Sequence, residues 1–154
     1  MSHIFRTNLK WTGNQGSGTV GYQAYSRDHV ISIEGHPDIP GSSAPQFRGD
    51  PSRYNPEDLL VASLSACHML WYLHLCSATK IVVTEYTDQA EGIMKLEAGG
   101  SGRFTSVTLH PCVTITADSD ESRAIELHRE AHRLCFIANS VNFPVAHKPE
   151  ITKS

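Results

Sequence analysis

An α+β fold is what the sequence predicts, and three observations predict it. Strand-like segments of alternating character gather at 5–33 and 81–117. Only two segments read as helices, one apolar on every face over 59–76 and one amphipathic from Ser119 towards Cys135. Strands in runs, with the helices segregated from them, argue against an alternating parallel α/β sheet. At 154 residues the chain fits a single domain, 1–154.

The elements follow in order. Phe5, Thr7, Leu9 and Trp11 alternate with polar neighbours, and Gly13 to Gly18 is turn material. Val20, Tyr22 and Ala24 repeat the alternation, and 30–33 is a short third strand. The segment 36–54 carries Pro37, Pro40, Pro45 and Pro51, and an irregular loop of that length in a small domain points to function. Asn55-Pro56-Glu57-Asp58 opens a helix: a capping Asn, a proline at the first helical position, then two carboxylates facing the dipole. That helix runs to about Ser77 and is apolar all round, so it must be enclosed by more protein than one sheet provides. Residues 81–117 read as antiparallel strands, with Gly99-Gly100-Ser101-Gly102 as a hairpin and a break near Pro111. The second helix turns Ala124, Leu127, Ala131 and Leu134 to one side, with Cys135 at the margin and Glu126, Arg129, Glu130 and Arg133 outside. A break at 139–142 and a last strand or tail over 143–151 complete the chain.

Composition narrows the function. Hydrophobic residues make up 40% and charged residues 19%, which is globular rather than disordered or collagen-like. The net charge of -3, with no basic run, disfavours nucleic acid and an anionic membrane surface as partners. The first eight residues lack an apolar core with a small-residue cleavage site, so no secretory signal is expected. Segment 59–76 approaches the ~20 residues that span a bilayer. It carries His68 and His74 and lacks a Lys/Arg anchor, so it reads as a core helix rather than a membrane span. A reducing, cytoplasmic setting follows, in which the four cysteines stay thiols unless chemistry oxidises them.

Cys67 lies in the middle of the apolar helix and Cys135 ends the amphipathic one. Both fit a role as small buried fillers. Both also fit thiol chemistry, which needs a cation near Cys67, because the thiolate is the nucleophile and burial opposes it. Arg48 and Arg53 are the nearest cations in sequence, and Glu57 could hold either in a bidentate pair. Cys76 and Cys112 have no such neighbourhood and read as filler. His128, His132 and Cys135 stand at i, i+4 and i+7, a span of ~10 Å, too long for one tetrahedral ion. These two histidines read as partly solvated rim side chains. As a general base for a thiol hydrolase, His68 points about 100 degrees away from Cys67 and His74 lies two turns on.

The stretch from Arg48-Gly49-Asp50-Pro51 through Asn55-Pro56-Glu57 to Ser65-Ala66-Cys67-His68, with Leu134-Cys135-Phe136-Ile137 near the end, resembles the signature of the OsmC/Ohr family. These are the osmotically inducible protein C and organic hydroperoxide resistance proteins. The order of strands and helices fits as well, so the resemblance covers essentially the whole chain. It implies an OsmC-like fold of antiparallel sheets around a long buried central helix, in an intertwined homodimer. It implies a thiol peroxidase for organic hydroperoxides, with Cys67 as the peroxidatic thiolate and Cys135 as the resolving thiol. Glu57 would orient the activating arginine, Arg48 in preference to Arg53.

On that footing Cys67 attacks the distal peroxide oxygen, an alcohol leaves, and the sulfenic acid condenses with Cys135 to a disulfide. An external dithiol, for instance of the lipoyl type, restores both thiols. No metal, flavin or haem enters. Leu60, Leu64, Trp71 and Phe136 are expected to line an apolar pocket. Glu57 and Cys67 are ten residues apart on one helix, ~15 Å along its axis. Either the arginine bridges part of that gap or Glu57 serves the partner's thiol across a two-fold axis. The alternative is a non-catalytic ligand-binding or stress-associated dimer of the same fold whose cysteines only pack.

Overall fold

The computed structural model describes all 154 residues and divides into two compact units, 1–60 and 61–154. In the first unit, β1 (Asn8–Trp11), β2 (His29–Ser32) and β3 (Ile39–Gly41) form an antiparallel sheet in that order. The expected strand through Val20, Tyr22 and Ala24 does not form. Gly16 and Gly18 take positive φ there, and turns run through the segment. The Tyr22 and Tyr25 rings instead hold the Arg27 guanidinium, 4.4 and 4.1 Å from their centres. Three alternating residues among glycines are too short a pattern to make a strand without a partner edge.

The proline-rich loop is ordered by its own backbone. Ser42 is buried, its N–H donating to the Tyr54 carbonyl (2.8 Å) and its Oγ accepting from the Asp50 N–H (3.1 Å). A single 3-10 turn, Pro45–Phe47, is followed by Arg48 in the left-handed region at φ 63°. Gly49 is required: a Cβ there would lie 1.5 Å from the Ser43 carbonyl oxygen.

Helix α1 (Pro56–Ala78) begins in the first unit and runs into the second. Asn55 caps it as expected, Oδ1 accepting from the Asp58 N–H at 2.8 Å and Nδ2 donating to the Asp58 carboxylate at 2.7 Å. The long central helix is not enclosed on every side. Its buried residues are Leu64, His68, Tyr72 and Cys76, one stripe at four-residue spacing, while Leu70 is 63% exposed.

In the second unit, β4 (Val83–Asp88), β7 (Pro111–Ile115) and β9 (Glu150–Lys153) form one sheet. The other consists of β5 (Glu91–Leu96), β6 (Gly102–Leu109) and β8 (Val145–His147). The expectation of antiparallel sheets holds for β4–β7 and β5–β6 and fails at the chain's end, because β8 and β9 pair parallel to β6 and β7. The cause is the crossover helix α2 (Glu121–Leu134), after which the chain re-enters each sheet in the direction of its neighbour. Asp120 caps α2, its side chain accepting from the Arg123 N–H at 3.0 Å.

Two apolar cores result. Tyr72 and Cys76 of α1 pack with Ala124, Leu127 and Ala131 of α2 and with Ile81, Val113 and Ile115. Leu64 packs with Val107 and Leu109, flanked by Val61, Phe104 and Ile137. Asp88, at the end of β4, ties strand to helix, accepting from the His110 N–H (2.7 Å) and the Ser65 hydroxyl.

Candidate active site

The second unit brings Cys67 and Cys135 together, 68 positions apart in sequence, with their thiols in hydrogen-bonding reach. Both are free thiols, Cys67 half-buried and Cys135 buried. Cys135 lies just beyond the last turn of α2, at the C-cap in an extended conformation, and its Sγ accepts from the Ala138 N–H at 3.4 Å. Burial pushes this thiol up to about 11, and the neighbouring Cys67 sulfur pushes it the same way, against backbone hydrogen bonds. Cys135 therefore stays protonated at neutral pH. The other two cysteines are apart from this pair. Cys76 is buried filler, whereas Cys112, read as filler, is exposed on β7.

Cys67 opens onto a groove of about 560 Å³ lined by Ser63, Ala66, Leu70, Trp71, His74 and Phe136. Trp71 stands between two edge-on rings, Phe136 at 5.4 Å and His74 at 5.8 Å. Trp71 and Phe136 line the groove as expected, while Leu64 faces the core and is fully buried.

The remaining sequence-predicted residues belong to the first unit. Arg48 is exposed, its guanidinium 5.9 Å from the centre of the Tyr22 ring. Arg53 is already engaged, 3.6 Å from Asp28 and 3.9 Å from Asp50, and donates to the His29 carbonyl. Glu57, in the first turn of α1, keeps a buried carboxylate oxygen, Oε2, that no donor reaches.

Sequence reasoning missed a histidine cluster beside the cysteines. His128, expected at a solvated rim, is fully buried, and its Nδ1 lies 3.0 Å from His68 Nε2. The His147 ring is 5.5 Å from His68 and 5.6 Å from His132. Burial, with the other histidines adding to it, pulls His68 down to about 4 and His128 down to about 3. The detectable signal was on α1: His68 continues the four-residue stripe from Leu64 to Cys76, so it had to face whatever packs there. No group of three His, Cys, Asp or Glu side chains is arranged to hold a metal ion.

Comparisons with known proteins bear on family and fold. Residues 49–150 match the family of OsmC-like proteins. An OsmC-like protein of unknown function from Vibrio cholerae superposes with TM-score 0.87 at 30% identity, over 97% of this chain and 100% of that one. An organic hydroperoxide resistance protein from Elizabethkingia anophelis superposes with TM-score 0.70 at 19% identity over all of both chains. One described as an organic hydroperoxide resistance protein OsmC, from Legionella pneumophila, gives TM-score 0.68 at 18% identity over 98% and 99%. These two likenesses speak to fold alone, and no curated protein matches the sequence. With two thirds of its length matched and a 30%-identical relative spanning it end to end, this chain belongs to the OsmC-like protein family.

Proposed function

We propose that this protein is a thiol peroxidase that reduces organic hydroperoxides to alcohols through Cys67 and Cys135. The observation that carries the reading is the pairing of these two free thiols at the mouth of an apolar groove. A Cys67 thiolate attacks the distal peroxide oxygen; the O–O bond breaks and the departing alkoxide takes a proton to leave as alcohol. Cys67 is then a sulfenic acid. Cys135, protonated and beside it, condenses with it to a disulfide and water, and an external dithiol returns both to thiols by exchange. The groove's apolar walls favour an alkyl or aryl hydroperoxide over hydrogen peroxide.

Arg48 is the activating cation in this reading, because Arg53 is spoken for by Asp28 and Asp50. Glu57 orients it, and its unpartnered buried oxygen is the acceptor that such a guanidinium would satisfy. The working form is a homodimer. Helix α1 is long and apolar enough to cross a membrane, yet only 22% of its most apolar stretch is buried. Its middle packs on α2, whose outer face carries Glu126, Arg129 and Glu130, so a second copy of the chain suits its uncovered face better than lipid does.

Steady-state assays with a dithiol reductant, on protein whose mass is followed by sedimentation, test the reading. A dimer turning over an aryl-alkyl hydroperoxide at least about tenfold more efficiently than hydrogen peroxide is expected, since several buried methylenes separate the two substrates. An organic hydroperoxide left unconsumed by the fully reduced protein would end the proposal. A fully active monomer would end its dimeric part.

A further inference from the structure

The hydrogen bond between His68 and His128 has no part in the chemistry just described, yet it joins α1, which carries Cys67, to α2, which Cys135 caps. His68 follows Cys67 directly, and His128 lies two turns before Cys135. Their facing nitrogens are 3.0 Å apart, and the rings are within 8° of parallel. One turn further along each helix, the Tyr72 hydroxyl donates to the Ala124 carbonyl at 3.1 Å. Helices α1 and α2 therefore run antiparallel, linked by successive polar contacts, with the cysteine pair beyond them.

As a stabilising device the pair is a poor choice. The Tyr72 ring covers His128 at 3.8 Å, and the other ring nitrogen, Nε2, is buried with no partner. Apolar side chains of similar volume would pack here without that cost. What they would not supply is direction. The apolar contact of α2 with α1 is built from Ala124, Leu127 and Ala131 against Tyr72 and Cys76, and the Tyr72 hydroxyl on the Ala124 carbonyl is the other polar tie across it. A hydrogen bond between two imidazoles selects one register.

We propose that the His68–His128 hydrogen bond is a positioning element for disulfide formation, setting α1 against α2 so that the Cys67 and Cys135 sulfurs meet. The inference rests on the thiol-peroxidase reading. In the step concerned the Cys67 S–O and Cys135 S–H bonds break and the S–S bond forms. The thiol proton leaves on the hydroxide as water, the Cys67 sulfur being reduced and the Cys135 sulfur oxidised. Neither histidine touches the reacting atoms. Attack on peroxide uses Cys67 with Arg48 and Glu57 and no side chain of α2, so this first step is independent of the helix register.

The two rings use different nitrogens, and this supplies the test. A glutamine amide reaches the position of an Nε2, and an asparagine amide that of an Nδ1. His68→Gln and His128→Asn keep the link, whereas His68→Asn and His128→Gln lose it while burying the same amide group. Each variant is mixed in a single turnover with one equivalent of an alkyl hydroperoxide. Peroxide loss, trapped sulfenic acid and disulfide are then followed separately. His68→Asn and His128→Gln are expected to consume peroxide at the wild-type rate and accumulate sulfenic acid, closing the disulfide about 10- to 100-fold more slowly. His68→Gln and His128→Asn are expected to restore most of that loss. Equal disulfide rates in all four, against a wild type that forms the disulfide, would overturn the positioning role alone. A wild type that consumes peroxide without forming the disulfide would overturn the resolving role of Cys135 and this inference with it.

Discussion

Replacing Cys67 by serine is expected to abolish hydroperoxide consumption, a loss on the order of 10³-fold or more, as for removal of any obligatory nucleophile. Cys135→Ser is expected to behave differently. It retains the nucleophile and the groove, so it should reduce one equivalent of peroxide and then stall as the sulfenic acid or pass on to the sulfinic acid. The asymmetry comes from where the two thiols stand. Cys67 lines the groove, whereas Cys135 is buried behind it with its thiol held protonated. A single-turnover peroxide assay on both variants checks it. Equal loss of the first turnover in the two would contradict the assigned roles.

Acid is expected to destabilise the protein steeply as pH falls below about 6.5. His68 is pulled down to about 4 and His128 to about 3, while an unfolded chain titrates them near the ordinary 6.5. The cause in each case is burial, reinforced by neighbouring histidines; for His68 the carboxylate of Asp88 opposes the shift. Between pH 6.5 and about 4 the unfolded chain therefore holds two protons that the native one does not. Stability is unaffected above this window and falls as pH drops through it, by roughly 1.4 kcal/mol per pH unit for each histidine. By pH 5 the loss is about 4 kcal/mol, a large part of what a domain this size has. His147 is lowered by burial, His132 and Arg129, and adds in the same direction. Asp50 and Asp118, held below 3.8 chiefly by hydrogen bonds from Ser52 and Thr116, lose their contribution only at lower pH. Urea midpoints measured from pH 7.5 to 4.5 check the slope, with a His68→Leu/His128→Leu double variant as the control. A wild-type midpoint constant over that range would show that the pair is not buried as described.

What could be read from the sequence was what short-range chemistry determines. Helix α1 was legible from its first residues because Asn55 and Pro56 fix its start locally, and it begins there. The hairpin between β5 and β6 was legible from Gly99 and Gly100, which both take positive φ. Strands β8 and β9 were legible only as a single last strand or tail over 143–151, since segments of three and four residues acquire strand character from the edge they join, here in parallel. His128 was misplaced for a related reason. A wheel that counts imidazole as polar puts it outside, but the facing residue on α1 is another imidazole, and a hydrogen-bonded pair is buried where either ring alone would not be. Cys67 and Cys135 were recognised through the family signature rather than through periodicity, which leaves a buried thiol and a reactive one looking alike.

The fate of the four thiols on exposure to one equivalent of an organic hydroperoxide tests the central claim most directly. Alkylation and mass spectrometry under non-reducing conditions should find two thiols lost, joined in a Cys67–Cys135 disulfide, with Cys76 and Cys112 still free and one equivalent of alcohol formed. Four intact thiols beside unreacted peroxide would contradict the account and leave a binding protein with an apolar groove and inert cysteines in its place.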